Sequence, residues 1–373
     1  MINQTYEKLA KIVVDYSLEI EKGHTVFISG PALAMDLYQA LNKVIVEAGA
    51  HPFFLAQIEG MQEIFLKYAS DDQLQYVNKV IKMAFNEFDR LIQVSADYNT
   101  KKMSTVDPKK LSIIMSAPER RELNKILEQR VSSGECKWVI IPYPCNALAQ
   151  EANMDLFSYA EFVNKSLFLD RENPIEEWKK MHKAQEEIVK FLNKVEKIQV
   201  IGEDTDLTLL VKGRTWVNSS GQDNLPDGEV FTSPIENSAE GHIRFTYPGI
   251  HMGKEIENIY LEFKEGEVVK ATAKKGAELL QELLKVENAN MIGEFAVGTN
   301  YGITQFTKNM LFDEKIGGSL HCALGLGFEE CGGTNVSAVH WDILKDMKAP
   351  GSKIIADGKL IYEEGKWKME NLK

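Results

Sequence analysis

Near residue 195 the spacing of apolar runs along the chain changes, and no other feature restricts the fold as strongly. Before that point, strand-like and helix-like segments alternate. His24-Thr25-Val26-Phe27-Ile28-Ser29 is a β-rich run ending at Gly30-Pro31, and a helical pattern follows from Ala34 to Ala48, closed by Gly49. Pro52 to Ala56, Arg90 to Val94 and Trp138 to Ile141 read as three further strands, with helical stretches over Pro108 to Arg130 and Leu156 to Leu169. Strands separated by helices imply βαβ units and a largely parallel sheet. Glu176 to Lys197 reads as a charged amphipathic helix and as the boundary element. Beyond it, Ile198 to Gly202, Leu207 to Lys212, His242 to Tyr247 and Ile259 to Phe263 are β-rich runs broken by Gly, Asp and Pro. Lys353 to Ala356 and Leu360 to Tyr362 flank Asp357-Gly358-Lys359, a hairpin signal that points to antiparallel pairing.

A length of 373 residues suits two domains. Hydrophobic content of 44% and charged content of 26% are those of a soluble globular protein. No apolar stretch approaches the roughly 18 residues of a spanning helix, so no membrane association is expected. The polar start, Met1 to Lys11, lacks the charged-then-apolar pattern of a secretory signal, which implies a cytoplasmic protein. The formal net charge of −12 argues against nucleic acid as a partner, because phosphate binding calls for a basic stripe. Cys136 and Cys145, like Cys322 and Cys331, are spaced nine apart rather than as C-x-x-C. Free, mostly buried thiols in a reducing compartment are expected.

Several catalytic signatures are missing: a Walker A loop, a G-x-S-x-G elbow and an H-E-x-x-H helix. Gly325-Leu326-Gly327 begins like a dinucleotide fingerprint, but Glu330 stands where the third glycine belongs, and the segment lies far from a first βαβ unit. What remains is a set of metal-ligating residue types between Glu229 and Asp342. In Val339-His340-Trp341-Asp342, strand spacing would project His340 and Asp342 together and turn Trp341 into packing on the other side. In Asp313-Glu314-Lys315-Ile316-Gly317-Gly318-Ser319-Leu320-His321, carboxylates and an imidazole are separated by a glycine pair that permits a tight turn. Gly293-Glu294-Phe295-Ala296-Val297-Gly298 carries an acid inside an apolar strand, which is costly unless the acid is paired or metal-bound. Pro226-Asp227-Gly228-Glu229 is a turn that delivers Glu229 to the start of a strand.

Taken singly, each segment has an ordinary structural reading: a hydrogen-bonded His–Asp pair, a lysine-paired Glu, a solvated acidic loop. His242 and His251 read as structural or surface residues. Together, four carboxylates and two imidazoles are the ligands that two divalent ions need, and zinc, cobalt and manganese accept such mixed sets. Without metal the same carboxylates would repel one another. The expected organisation is an α/β N-terminal domain over residues 1–195 and an α+β C-terminal metal-binding domain over residues 196–373.

These segments, in this order, resemble the metalloaminopeptidase family of aminopeptidase T and aminopeptidase S. The resemblance rests on Asn224-Leu225-Pro226-Asp227-Gly228-Glu229-Val230-Phe231-Thr232, Gly293-Glu294-Phe295-Ala296, Leu311-Phe312-Asp313-Glu314-Lys315, His321-Cys322-Ala323-Leu324-Gly325 and His340-Trp341-Asp342. Pro142-Tyr143-Pro144 and Ala149-Gln150-Glu151-Ala152 with Met154 extend it into the first half. It implies Glu229, Glu294, Glu314, His321, His340 and Asp342 as ligands of two divalent ions, with Glu294 bridging. It also implies a homodimer with an internal active-site cavity acting on short peptides. The family has a tyrosine seven residues after the ligand matching His321, where this chain has Phe328. A phenol there could stabilise a developing oxyanion, and phenylalanine cannot. Two other activities fit the same residues: a different dinuclear hydrolase, such as an amidase or carboxypeptidase, and a metal-bound but catalytically silent peptide-binding homologue.

Overall fold

The computed structural model describes residues 2–251 and 253–372. They form two compact units. One is the chain as far as Ile175 together with Gly221–Pro226, and the other is Glu176–Ser220 together with the chain from Asp227 onward.

The first unit is built on four strands: Thr25–Pro31 (β1), His51–Gln57 (β2), Arg90–Ser95 (β3) and Lys137–Pro142 (β4). Their order is β2-β1-β3-β4 and every pairing is parallel, as the alternation of strands and helices requires. The central strands bury both faces. Val26, Ile28, Ile92, Val94, Val139 and Ile141 are all inaccessible, while Phe27 and Leu91 on the opposite face pack with the helix Lys79–Glu87. The helix expected over Pro108 to Arg130 is two helices, Pro108–Ser116 and Pro118–Ser132. Pro118 is the reason: its ring disfavours helical geometry at the preceding residue, and Ala117 is held at ψ 121°. The helix expected from Glu176 to Lys197 runs Pro174–Leu192 instead, and Lys197 opens a strand. Charge and amphipathicity carry that helical pattern, but Ile198 and Val200 beyond it alternate with the period of a strand and are fully buried.

In the second unit the named strands all pair antiparallel. An eight-stranded sheet comprises Lys197–Gly202 (β5), Thr205–Leu210 (β6), Glu240–Arg244 (β9), Tyr260–Lys264 (β12), Glu267–Thr272 (β13), Lys353–Ala356 (β17), Lys359–Glu363 (β18) and Lys366–Trp367 (β19). Gly249–His251 (β10) and Lys254–Ile256 (β11) pair with each other. A five-stranded sheet takes Val217–Ser219 (β7), Glu229–Thr232 (β8), Ile292–Gly298 (β14), Ser319–Gly325 (β15) and His340–Asp346 (β16), in the order β16-β15-β14-β8-β7. Phe295, Leu320, Leu324 and Trp341 of the smaller sheet share one core with Ile198, Leu207, Ile243 and Leu261 of the larger. Burying a side chain of that size contributes about 1.5–3 kcal/mol. Gly249 is required by this core, since a Cβ there would lie 2.4 Å from Cζ2 of Trp341. All four cysteines are free and buried. Among the described residues no helix is long and apolar enough to cross a membrane.

Candidate metal centre

Each strand of the five-stranded sheet alternates between the core and one other face. In β14, Phe295 and Val297 enter the core, so Glu294, Ala296 and Gly298 project the opposite way. In β15, Leu320, Cys322 and Leu324 are core and His321, Ala323 and Gly325 are not. In β16, Trp341 and Ile343 are core while His340 and Asp342 turn away; in β8, Val230 is core while Glu229 and Phe231 turn away. The antiparallel register then collects the polar residues. Ala296 pairs with His321, Ala323 faces both Glu294 and Asp342, Gly325 faces His340, and Gly298 faces Glu229. Alanine and glycine fill the positions between these polar residues, and close packing demands the glycines: a Cβ would lie 2.2 Å from the Ile316 carbonyl oxygen at Gly298 and 2.1 Å from that of Val339 at Gly325. Glu314 comes from a loop: it caps the short helix Met310–Asp313, after which Gly318 at φ 93° turns the chain into β15.

The six side chains converge. Ligating atoms of Glu229, Glu294 and His321 lie within 4.8 Å of one another, as do those of Glu294, His340 and Asp342 and those of Glu314, His321 and Asp342. His321 Nε2 stands 3.6 Å from Glu229 Oε2, 3.6 Å from Glu294 Oε1 and 3.9 Å from Asp342 Oδ1. His340 Nε2 is 3.2 Å from Glu294 Oε2 and 3.5 Å from Asp342 Oδ1. Glu294 thus turns one oxygen to each imidazole. His340 Nδ1 lies 3.0 Å from the Leu326 carbonyl, and donating to that acceptor leaves Nε2 free to ligate. The buried atoms Glu229 Oε2 and Asp342 Oδ1 have no hydrogen-bond partner. Orphaned carboxylate oxygens aimed at an imidazole fit a divalent cation, which would satisfy them.

The electrostatics are those of carboxylates and imidazoles crowded together in a buried site. Burial disfavours the charged form of both imidazoles, but the facing carboxylates outweigh it. They hold His321 up at about 9, chiefly through Glu294, and His340 up at about 11, through Asp342 and Glu294. Burial would raise Glu294, yet hydrogen bonds from both histidines bring it down to about 2. Burial pushes Glu229 up to about 8 against the pull of Lys315 and His321, and raises Glu314 as well.

Residues 2–367 match the thermophilic metalloprotease (M29) family. The chain belongs to that family. M29 membership carries with it a divalent metal cofactor. Among the chain's relatives, aminopeptidase 2 of Geobacillus stearothermophilus is 27% identical, covering 98% of each chain. Aminopeptidase T of Thermus thermophilus is 27% identical over 87% of this chain and 85% of its own. The structure of wild-type AmpT from Thermus thermophilus superposes with a TM-score of 0.85 at 24% identity, covering 99% of this chain and all of that one. The fold also supports other chemistry. A 2,5-dihydroxypyridine dioxygenase from Pseudomonas putida KT2440 shares it at a TM-score of 0.60 and 13% identity, over 97% and 96% of the two chains.

Within this M29 chain, two charged residues of the cluster escape a reading by ligand type. Lys315 is 2% exposed and bonds Glu229 Oε1 at 2.5 Å and Glu314 Oε1 at 2.7 Å. Asp227 is fully buried, accepts from the Gly228 amide and from Ser219 Oγ, and lies 3.9 Å from the same ammonium. In the sequence, Asp313-Glu314 taken alone reads as solvated loop charge and Lys315 is not singled out; its only signal is that the shared Leu311-Phe312-Asp313-Glu314-Lys315 segment includes the lysine. Phe328 lies beside the cluster, its ring tilted 5.1 Å from the His340 ring and edge-on 5.4 Å from Phe231. His242 and His251 lie outside the cluster. His242 pairs with Tyr260 and His251 stands edge-on to Trp341.

Proposed function

We infer that this chain is a metal-dependent aminopeptidase that removes N-terminal residues from short peptides, using Glu229, Glu294, Glu314, His321, His340 and Asp342 to hold its metal. The observation that carries this reading is the gathering of three carboxylates and two imidazoles from one sheet face with a fourth carboxylate, Glu314, from a loop, in a chain that matches a metalloprotease family nearly end to end. The two-sided placement of Glu294, one oxygen toward His321 and the other toward His340, supports two divalent ions sharing that carboxylate. Zinc, cobalt and manganese all suit such ligands. When bound, divalent ions supply a water acidic enough to ionise near neutral pH and a Lewis acid for the scissile carbonyl. The chain's own part is to fix the six ligands and to hold His340 in one tautomer through Leu326. It also buries all but His340 and the rim of Glu314 away from bulk water. On this reading the metal belongs to the α+β C-terminal domain, residues 196–373, and the N-terminal α/β domain, residues 1–195, supplies no ligand. The resemblance to the aminopeptidase T and S group extends the proposal to a homodimer, which light scattering tests.

Phe328 favours a second reading, a metal-bound homologue without turnover, because the ring beside His340 is a phenylalanine where the family has a tyrosine. One experiment separates the two. Purified protein is stripped with chelator and assayed on unblocked di- and tripeptides before and after zinc, cobalt or manganese is restored. N-acetylated peptides serve as the control. Stepwise N-terminal release that needs metal supports the aminopeptidase. Cleavage of the acetylated peptides points to another hydrolase, and bound metal without any cleavage points to the silent homologue.

A further inference from the structure

A lysine buried among the proposed ligands is the least expected group in the site, because an ammonium is a competitor for the same oxygens that a cation would use. Its position is nonetheless fixed. Lys315 follows Glu314 directly, and its backbone amide bonds the Phe312 carbonyl at 3.1 Å. Its own carbonyl accepts from the Asn300 amide, also at 3.1 Å, and the Asn300 side chain donates to the Asp227 carbonyl at 2.8 Å. The loop that carries the lysine is therefore tied to the turn that carries Glu229. The ammonium reaches one named oxygen on each of two carboxylates, Oε1 of Glu229 and Oε1 of Glu314. Oε2 of Glu229 is left without a partner and faces His321.

We propose that Lys315 is a positioning residue for the metal centre: it holds one oxygen of Glu229 and one of Glu314, so that each presents only its other oxygen to metal. This rests on the ligand assignment above and deepens it. Two consequences follow from the chemistry. A carboxylate pinned through one oxygen ligates through a single atom in a set direction, where a free one could rotate or chelate through both. A fixed cation also offsets part of the repulsion among four crowded carboxylates, so the cluster can fold before metal arrives. An apolar side chain of the same reach would do neither. Lysine suits the role better than arginine because its compact ammonium can lie between two carboxylates that belong to different segments.

The test is a cobalt titration of chelator-stripped wild type, Lys315→Met and Lys315→Arg. It follows metal content per chain, affinity and the visible absorption of bound cobalt, with circular dichroism to verify folding. The proposal expects Lys315→Met to bind cobalt about 10–100-fold more weakly, the usual cost of losing a group that orients a metal ligand. Its absorption should also change as the two carboxylates gain freedom. Lys315→Arg should recover part of the affinity, since it restores charge and donors. Unchanged affinity and absorption in Lys315→Met overturn the proposal and leave the ligand assignment intact. Tighter binding overturns it too, because the lysine would then be a competitor. If wild type itself takes up no cobalt, the ligand assignment fails and this proposal fails with it. Should Lys315→Met not fold, Lys315→Gln takes its place, and wild-type affinity and absorption there count against the proposal in the same way.

Discussion

Glu294 meets both histidines of the cluster, so its loss should be felt at both ends. Glu294→Gln keeps the shape and removes the charge. It is expected to lower metal affinity by more than about 100-fold, beyond the range typical of groups that only support a ligand; metal content after dialysis is the measurement. Phe328→Tyr asks the opposite question. A phenol beside His340 should raise kcat with little change in KM, by up to about 100–1,000-fold if it supplies an oxyanion donor the chain lacks. No rise would mean that another group already fills that role. The histidines make a pH prediction. Held up at about 9 and about 11, His321 and His340 are protonated in metal-free protein at neutral pH. An imidazole whose folded value exceeds its unfolded one, about 6.5, stabilises the fold fully below that value. The contribution is then lost as pH rises through the folded value. Glu229, raised to about 8, acts in the same direction, because burying its charged form becomes costly above its unfolded value. Metal-free protein should therefore weaken between about pH 7 and 9, while metal uptake, which must displace those protons, should strengthen. The gap in Tm between loaded and stripped protein should widen across that interval, and a constant gap would contradict protonated histidines in the empty cluster.

At the scale of the strand, much of the site is legible in the residue order. His340 and Asp342 share a face because they are two apart, and Glu294 stands out because its neighbours Phe295 and Val297 are apolar. What stays hidden is what depends on pairing. Nothing local in Pro226-Asp227-Gly228-Glu229 says that β8 will lie against β14, yet that pairing sets Glu229 opposite Gly298. Lys315 is hidden for a different reason: three consecutive charges look like surface, and only tertiary burial distinguishes them. The parallel sheet of the first unit is readable because crossover helices separate its strands, whereas the helix break at Ala117 turns on one proline. The strand scale carries its own prediction. Ala323 faces both Glu294 and Asp342, so Ala323→Val puts two methyl groups between them. Overpacking should cost about 1–3 kcal/mol in stability, and bound metal should fall as well. Denaturation together with metal analysis checks both, and full metal content in a destabilised variant would show that metal uptake does not depend on the small side chain at Ala323.

For the whole molecule, metal and fold should be coupled. Ions that bind only the folded state stabilise it by about 2.7 kcal/mol at a free concentration 100 times the Kd, and in this cluster they would also relieve the carboxylate repulsion. Stripped protein is expected to unfold at lower temperature than loaded protein, with the difference growing as metal is added. The alternation of the five-stranded sheet has a further consequence, which concerns error. The residues that fill the core and those that gather at the candidate centre occupy alternate positions on the same strands. Sliding β15 or β16 by one residue would therefore drive His321 or Asp342 into the oil and bring Leu320 or Trp341 to the surface. A miswired candidate site cannot coexist with an intact core, so any molecule stable enough to persist has already had these polar side chains sorted by the act of folding.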